Sequence, residues 1–127
     1  MTTAHNARVT GVTLNSPDPP KLARFHAQLL GWPIGVEEPG WVTLPNTDGG
    51  MGLAFHIEDV STPPTWPSEP GKQIMQMHLE VLVDDLEAGC VHAQACGATL
   101  AEYRPQDADS VHLDPDGHPF CISIAGQ

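Results

Sequence analysis

Apolar and polar positions alternate over residues 9–15, with Val12 and Leu14 on one face and Gly11, Thr13 and Asn15 on the other. A period of two marks a strand with one buried face. Ser16-Pro17-Asp18-Pro19 ends it, and Asp followed by Pro suits the cap and first position of a helix. Leu22, Phe25 and Leu29 then recur at spacings of 3 and 4, one face of a helix that Gly31 stops. Short strands are predicted at 32–36, 41–44 and 51–57, with Asn46-Thr47-Asp48-Gly49-Gly50 as the turn between the last two. The order of elements is β-α-β-β-β.

The second half repeats that order. Residues 74–83 read as a strand with His78 and Glu80 on one face and Leu79, Val81 and Val83 on the other. Asp84 and Glu87 form a capping-box pattern, Leu86, Cys90 and Ala93 give the buried helix face, and Gly97 ends the helix. Strands at 98–103, 110–113 and 120–124 follow, the last two joined by the turn Asp114-Pro115-Asp116-Gly117. A direct repeat supports the pairing of halves. His26-Ala27-Gln28 recurs as His92-Ala93-Gln94, 66 residues later, and at the same offset Asp18 recurs as Asp84 and Gly31 as Gly97. Two copies of so long a unit make a pair of supersecondary modules, not a solenoid. Module one spans 8–57 and module two 74–125, within a single domain of 127 residues. Residues 58–73 hold Pro63, Pro64, Pro67 and Pro70 and read as an extended, semi-rigid connector.

Composition narrows the partners. Hydrophobic residues are 40% of the chain, enough for one core. Sixteen Asp and Glu against five Lys and Arg give a net charge of −11 at pH 7 with His neutral. Five scattered cations cannot neutralise a run of phosphates, so nucleic acid and anionic membrane surfaces are excluded as partners, while a cationic ligand is permitted. No apolar run approaches the ~18–20 residues of a membrane span, and residues 1–8 lack a signal peptide's apolar segment. Three cysteines without scaffold spacing point to a reducing, cytoplasmic setting.

Particular residues carry a family resemblance. In the first half they are Asp18, Phe25-His26 and Leu30-Gly31-Trp32. In the second they are His78-Leu79-Glu80-Val81, Asp84-Asp85-Leu86, Gly97-Ala98 and Asp114-Pro115-Asp116-Gly117-His118-Pro119-Phe120. Together they resemble the vicinal oxygen chelate superfamily of glyoxalase I, extradiol dioxygenases, fosfomycin-modifying enzymes and bleomycin-binding proteins. The flavour is that of glyoxalase-like domain proteins, where a segment such as Pro64-Thr65-Trp66-Pro67 precedes the His-Leu-Glu strand. The resemblance implies an α+β fold of two βαβββ modules whose strands curl into a half-open mixed β-barrel around a cavity. It also implies a homodimer, since such a barrel leaves edges to cover.

Metal enzymes of the superfamily take ligands from the first and last strand of each module. Carried over, the positions fall on Gly11, on Ala54 or His56, on His78, and on Cys121 where relatives usually carry Glu. With no carboxylate at a ligand position, a Mg²⁺ or Mn²⁺ site is not expected. The cofactor expectation is none. The alternative is Zn²⁺ on His56, His78 and Cys121, with a fourth position for water or substrate. Glu80, two residues from His78 on the same side, makes those two the candidate catalytic acid–base pair. Parity opposite Leu53 and Phe55 turns His56 to the cavity, and that opposite Phe120 and Ile122 turns Cys121 there. The expected cavity wall is therefore His56, His78, Glu80 and Cys121, with Trp32, Trp41 and Trp66; Tyr103 completes the aromatic inventory. His112 and His118 flank a turn and read as surface residues. His26 and His92 read as helix-packing or capping residues, and Cys90 and Cys96 as small buried apolar ones.

No nucleophile triad, Walker loop or dinucleotide fingerprint is present. The expected function is small-molecule binding of the bleomycin-resistance type, sequestering a planar or cationic metabolite or antibiotic. The alternative is a glyoxalase-like lyase, isomerase or transferase acting on a small oxygenated metabolite.

Overall fold

Local chemistry starts each helix. The Asp18 side chain accepts from the Lys21 N–H at 3.4 Å, and Pro19 and Pro20 follow where no N–H partner is needed. Helix α1 (Pro19–Leu30) closes on Gly31, at φ 71°, whose N–H bonds the Ala27 carbonyl at 2.8 Å. The computed structural model describes residues 7–101 and 110–124. Its contacts divide the chain into two units, Met1–Asp59 and Val60–Gln127. Among the described residues, no helix is long and apolar enough to cross a membrane.

In the first unit, strands β1 (Gly11–Ser16), β2 (Glu37–Glu38), β3 (Trp41–Leu44) and β4 (Gly52–Ile57) form one sheet in the order β1-β4-β3-β2. β1 runs parallel to β4, as a crossover through a helix requires, and the other pairs are antiparallel. Leu22, Ala23, Phe25 and His26 of α1 bury against Val42, Leu44, Leu53 and Phe55. The His26 ring stacks on Phe55, 5.4 Å between centroids, and meets Phe25 edge-on. His26 is thus the packing residue the sequence predicts. The strand expected at 32–36 is not formed; the regular pairing is confined to Glu37–Glu38. Gly35 and Val36 do approach Thr43, but the Val36 N–H bonds the Thr43 hydroxyl instead of continuing the ladder.

The second unit repeats the topology: β5 (Leu79–Val83), α2 (Leu86–Cys96), β6 (Thr99–Leu100), β7 (Ser110–Leu113) and β8 (Pro119–Ile124), in the order β5-β8-β7-β6 with β5 parallel to β8. The α+β fold of two βαβββ modules is the one the sequence implies. Three details differ. The strand expected from residue 74 begins at Leu79, because β5 pairs with β8, and β8 starts at Pro119, which has no N–H to extend the ladder. The helix cap is Asp85, not Asp84: the Asp85 carboxylate accepts from the Ala88 N–H at 2.9 Å. His112 is fully buried, not a surface residue. Its register partner is Phe120, so it points beneath α2, where the Gln94 amide bonds its Nε2 at 3.1 Å. The strand expected at 98–103 is seen as Thr99–Leu100; Tyr103 lies outside the described residues.

Candidate functional site

Strand parity in the first unit sends the bulky apolar side chains to the helix and leaves small ones on the other face. Gly11, Thr13, Gly52, Ala54 and Thr43 share that face, since Gly11 pairs with Gly52, Thr13 with Ala54 and Ala54 with Thr43. The result is a cavity of ≈ 350 Å³ floored by Gly11, Gly52 and Ala54 and walled by Trp41, Thr43 and Pro45. The glycines are required by close approach. A Cβ on Gly52 would sit 2.9 Å from the Leu44 carbonyl oxygen, and one on Gly11 3.0 Å from that of Gly52. Among the described residues, no His, Cys, Asp or Glu lines the cavity.

Of the residues expected to form one wall, Trp41 lines this cavity; Trp32 and His56 do not. Trp32 follows the end of α1, where its N–H bonds the Ala27 carbonyl at 3.1 Å. His56 is exposed beside Trp41, its register partner, with ring centroids 6.3 Å apart. Trp66 is half-buried in the connector and precedes Pro67 through a cis peptide bond.

The second unit gathers the other three. His78 and Glu80, two residues apart, project to the same side, and Glu80 pairs in register with Cys121 on β8. His78 Nε2 lies 2.6 Å from Glu80 Oε2, and a donor atom of each of the three lies within 4.8 Å of the others. His56, expected as a ligand with His78 and Cys121, lies on β4 of the first unit; within the second unit it is Glu80 that stands beside them. The signal for it was present: a His-x-Glu spacing on a strand, opposite a cysteine on the neighbouring strand.

The two modules can be superposed residue on residue by register. A shift of 67 carries Gly11, Thr13 and Ala54 onto His78, Glu80 and Cys121, and the pairing of Thr13 with Ala54 becomes that of Glu80 with Cys121. Asp18 falls on Asp85, the cap actually used. The offset of 66 seen between His26 and Gly31 arises because α1 has 12 residues and α2 has 11. The positions held by Gly11, Thr13 and Ala54 in one module carry an imidazole, a carboxylate and a thiol in the other.

The superfamily's metal pattern can therefore be tested on geometry. In the first module, the Gly11 row holds no donor atom. His56 lies four residues along β4 from Gly52, the partner of Gly11, which is ~13 Å at ~3.3 Å per residue. A four-ligand hard-oxygen site for Mg²⁺ or Mn²⁺ does not fit these residues. By donor type, His78, Glu80 and Cys121 fit a softer ion.

Beyond this cluster, His118 is half-buried and its Nδ1 bonds the buried Asp114 carboxylate at 3.0 Å. The same carboxylate accepts from the N–H groups of Asp116 and His118 at 3.0 and 2.9 Å, closing the turn. Burial alone would lower the His118 pKa, but the hydrogen bond to Asp114 and the charges of Asp114 and Asp116 prevail and raise it.

Comparison with known proteins agrees with this architecture. Solved structures with the same fold include a glyoxalase/bleomycin resistance protein/dioxygenase family enzyme from Burkholderia phytofirmans PsJN, at 19% identity and TM-score 0.71, covering 93% of this chain and 98% of that one. A glyoxalase-related enzyme from Fulvimarina pelagi aligns at 23% identity and TM-score 0.67, covering 93% and 88%. Lactoylglutathione lyase from Agrobacterium tumefaciens aligns at 12% identity and TM-score 0.61, covering 94% of each chain. No curated protein sequence matches. The family model of the glyoxalase-like domain matches residues 11–123, nearly the whole chain, and the protein belongs to that family.

Proposed function

We propose that the protein binds a planar small molecule in the cavity of its first module and holds it without transforming it, in the manner of bleomycin-resistance-type sequestration. One observation carries this reading: the cavity pairs a bare Gly11–Gly52–Ala54 floor with the indole of Trp41, and no acid, base or metal donor lines it. A flat backbone floor and an aromatic wall give stacking area, and the Thr10, Thr13 and Thr43 hydroxyls in the lining have no acid or base among the described lining residues to activate them. Attraction for a cation comes from the Trp41 indole face and from the net charge of −11, a long-range field that salt screens.

Tryptophan fluorescence tests the reading. Planar aromatic compounds, cationic and neutral, are titrated into the protein, and the ligand is recovered and weighed by mass spectrometry. The expected result is saturable quenching that Trp41→Phe diminishes and Ala54→Leu abolishes, with the ligand recovered unchanged. Quenching indifferent to both substitutions would refute it.

A second reading is favoured by the 2.6 Å contact between His78 and Glu80. That pair is placed to move a proton, which suits a glyoxalase-like lyase, isomerase or transferase acting on a small oxygenated metabolite. Turnover of lactoylglutathione that His78→Ala abolishes and Trp41→Phe spares would favour this reading over the first.

A further inference from the structure

We propose that His78, Glu80 and Cys121 form a metal site of their own, contained in the second module and selective for a thiophilic divalent ion of the Zn²⁺ class. This stands apart from the cavity reading, which concerns residues of the other module.

Strand geometry dictates the cluster. Residues i and i+2 on a strand share a face at about 6.5–7 Å, and a register neighbour across a sheet stands ~4.8 Å away. His78, Glu80 and Cys121 occupy those three corners. The side chains lean together, so an imidazole nitrogen, a carboxylate oxygen and a sulfur lie within 4.8 Å of one another. In a tetrahedral zinc site with bonds of ~2.0–2.3 Å, neighbouring donor atoms sit roughly 3.3–3.8 Å apart. The present separations, from 2.6 Å up to 4.8 Å, bracket that range. His78 and Glu80 must part by about 0.7 Å to reach that ~3.3 Å spacing, exchanging their mutual hydrogen bond for bonds to the ion.

The donor set fixes the class of ion. A thiolate and an imidazole select Zn²⁺, Co²⁺ or Cd²⁺ over Mg²⁺ and Mn²⁺, which prefer all-oxygen shells. His78 and Glu80 side chains are 34% and 59% exposed, so the ion arrives from solvent and water completes its shell. The site thus departs from its superfamily's pattern in two respects: it draws on one module, and Glu80 supplies a donor from a position that pattern does not use.

The test uses the full chain without a histidine tag, stripped by chelator. Equilibration with Zn²⁺ is expected to leave one ion per chain by elemental analysis. Replacement by Co²⁺ is expected to give the near-ultraviolet charge-transfer band of a cobalt–thiolate bond. Cys121→Ser should remove the band and weaken Zn²⁺ binding by more than about 100-fold, above the ~10–100-fold that outer-shell changes cost. Glu80→Gln should weaken binding while keeping the band, and Cys96→Ser should change neither. Circular dichroism confirms that each variant is folded. Lack of stoichiometric Zn²⁺, a band that survives Cys121→Ser, or displacement of Zn²⁺ by millimolar Mg²⁺ or Mn²⁺ each overturns the proposal. None of these outcomes bears on quenching at Trp41, so the two readings fail separately.

Discussion

Gly89 offers a test in which two opposing effects can be weighed from the structure. It lies inside α2, where glycine costs up to ~1 kcal/mol relative to alanine, so propensity alone favours Gly89→Ala. Packing opposes it. A Cβ at position 89 would stand 2.8, 2.9 and 3.0 Å from Cγ2, Cγ1 and Cβ of Val83 on β5. Carbon atoms rest at ~3.5–4.0 Å, so the overlap is roughly 0.5–1 Å with three atoms at once. Valine is stiff at χ1 and cannot swing all three away, and forcing a methyl into such a contact costs ~1–3 kcal/mol. Packing wins: Gly89→Ala should destabilise the protein by about 1 kcal/mol, which for a chain of this size lowers Tm by roughly 3–6 °C. Thermal and urea unfolding followed by circular dichroism measure this. Val83→Ala removes both Cγ atoms but keeps the Cβ at 3.0 Å, so in that background the cost of Gly89→Ala should shrink by ~0.5–1 kcal/mol as propensity offsets the one remaining contact. A rise in Tm for Gly89→Ala alone, or an equal loss in both backgrounds, would refute the argument.

Three further outcomes are expected. The folded-state pKa of His118 is raised above 6.5, so its bond to Asp114 stabilises the fold fully below that value and loses its effect as pH climbs through the folded pKa; the urea midpoint gap between wild type and His118→Gln should shrink from pH 6 to pH 9. Asp85→Ala should lower stability by ~1 kcal/mol in urea unfolding and Asp84→Ala by a few tenths, and the reverse order would place the cap at Asp84. Phe55→Ala empties a fully buried site beneath α1 and should cost ~3–5 kcal/mol, read as a large fall in urea midpoint.

Features set by a few neighbouring residues were legible in the sequence. β3 and β7 have the predicted bounds because alternation and flanking turn residues fix both ends locally. The burial of Phe55, Phe120 and Ile122 follows from parity alone, which also turned His56 and Cys121 to the opposite face. What escaped depends on a partner strand. The start of β5 is decided by Pro119 on β8, some forty residues away in sequence. Two adjacent aspartates can each cap α2, and only backbone geometry selects Asp85. His112 looked like a turn neighbour until its register with Phe120 was known. The pairing of Glu80 with Cys121 has the same origin: distance along a strand is visible in sequence, but the neighbour across the ladder is not.

The matched registers of the two modules read as a duplication whose copies now carry different side chains at equivalent positions. A single ancestral strand pair supplied three equivalent positions. One descendant filled them with Gly11, Thr13 and Ala54 and gained room, while the other filled them with His78, Glu80 and Cys121 and gained reactive atoms. The division is guarded against easy reversal. Any side chain added at Gly11 meets the Gly52 carbonyl oxygen at 3.0 Å, so grafting the second set onto the first module demands movement of backbone as well as three substitutions.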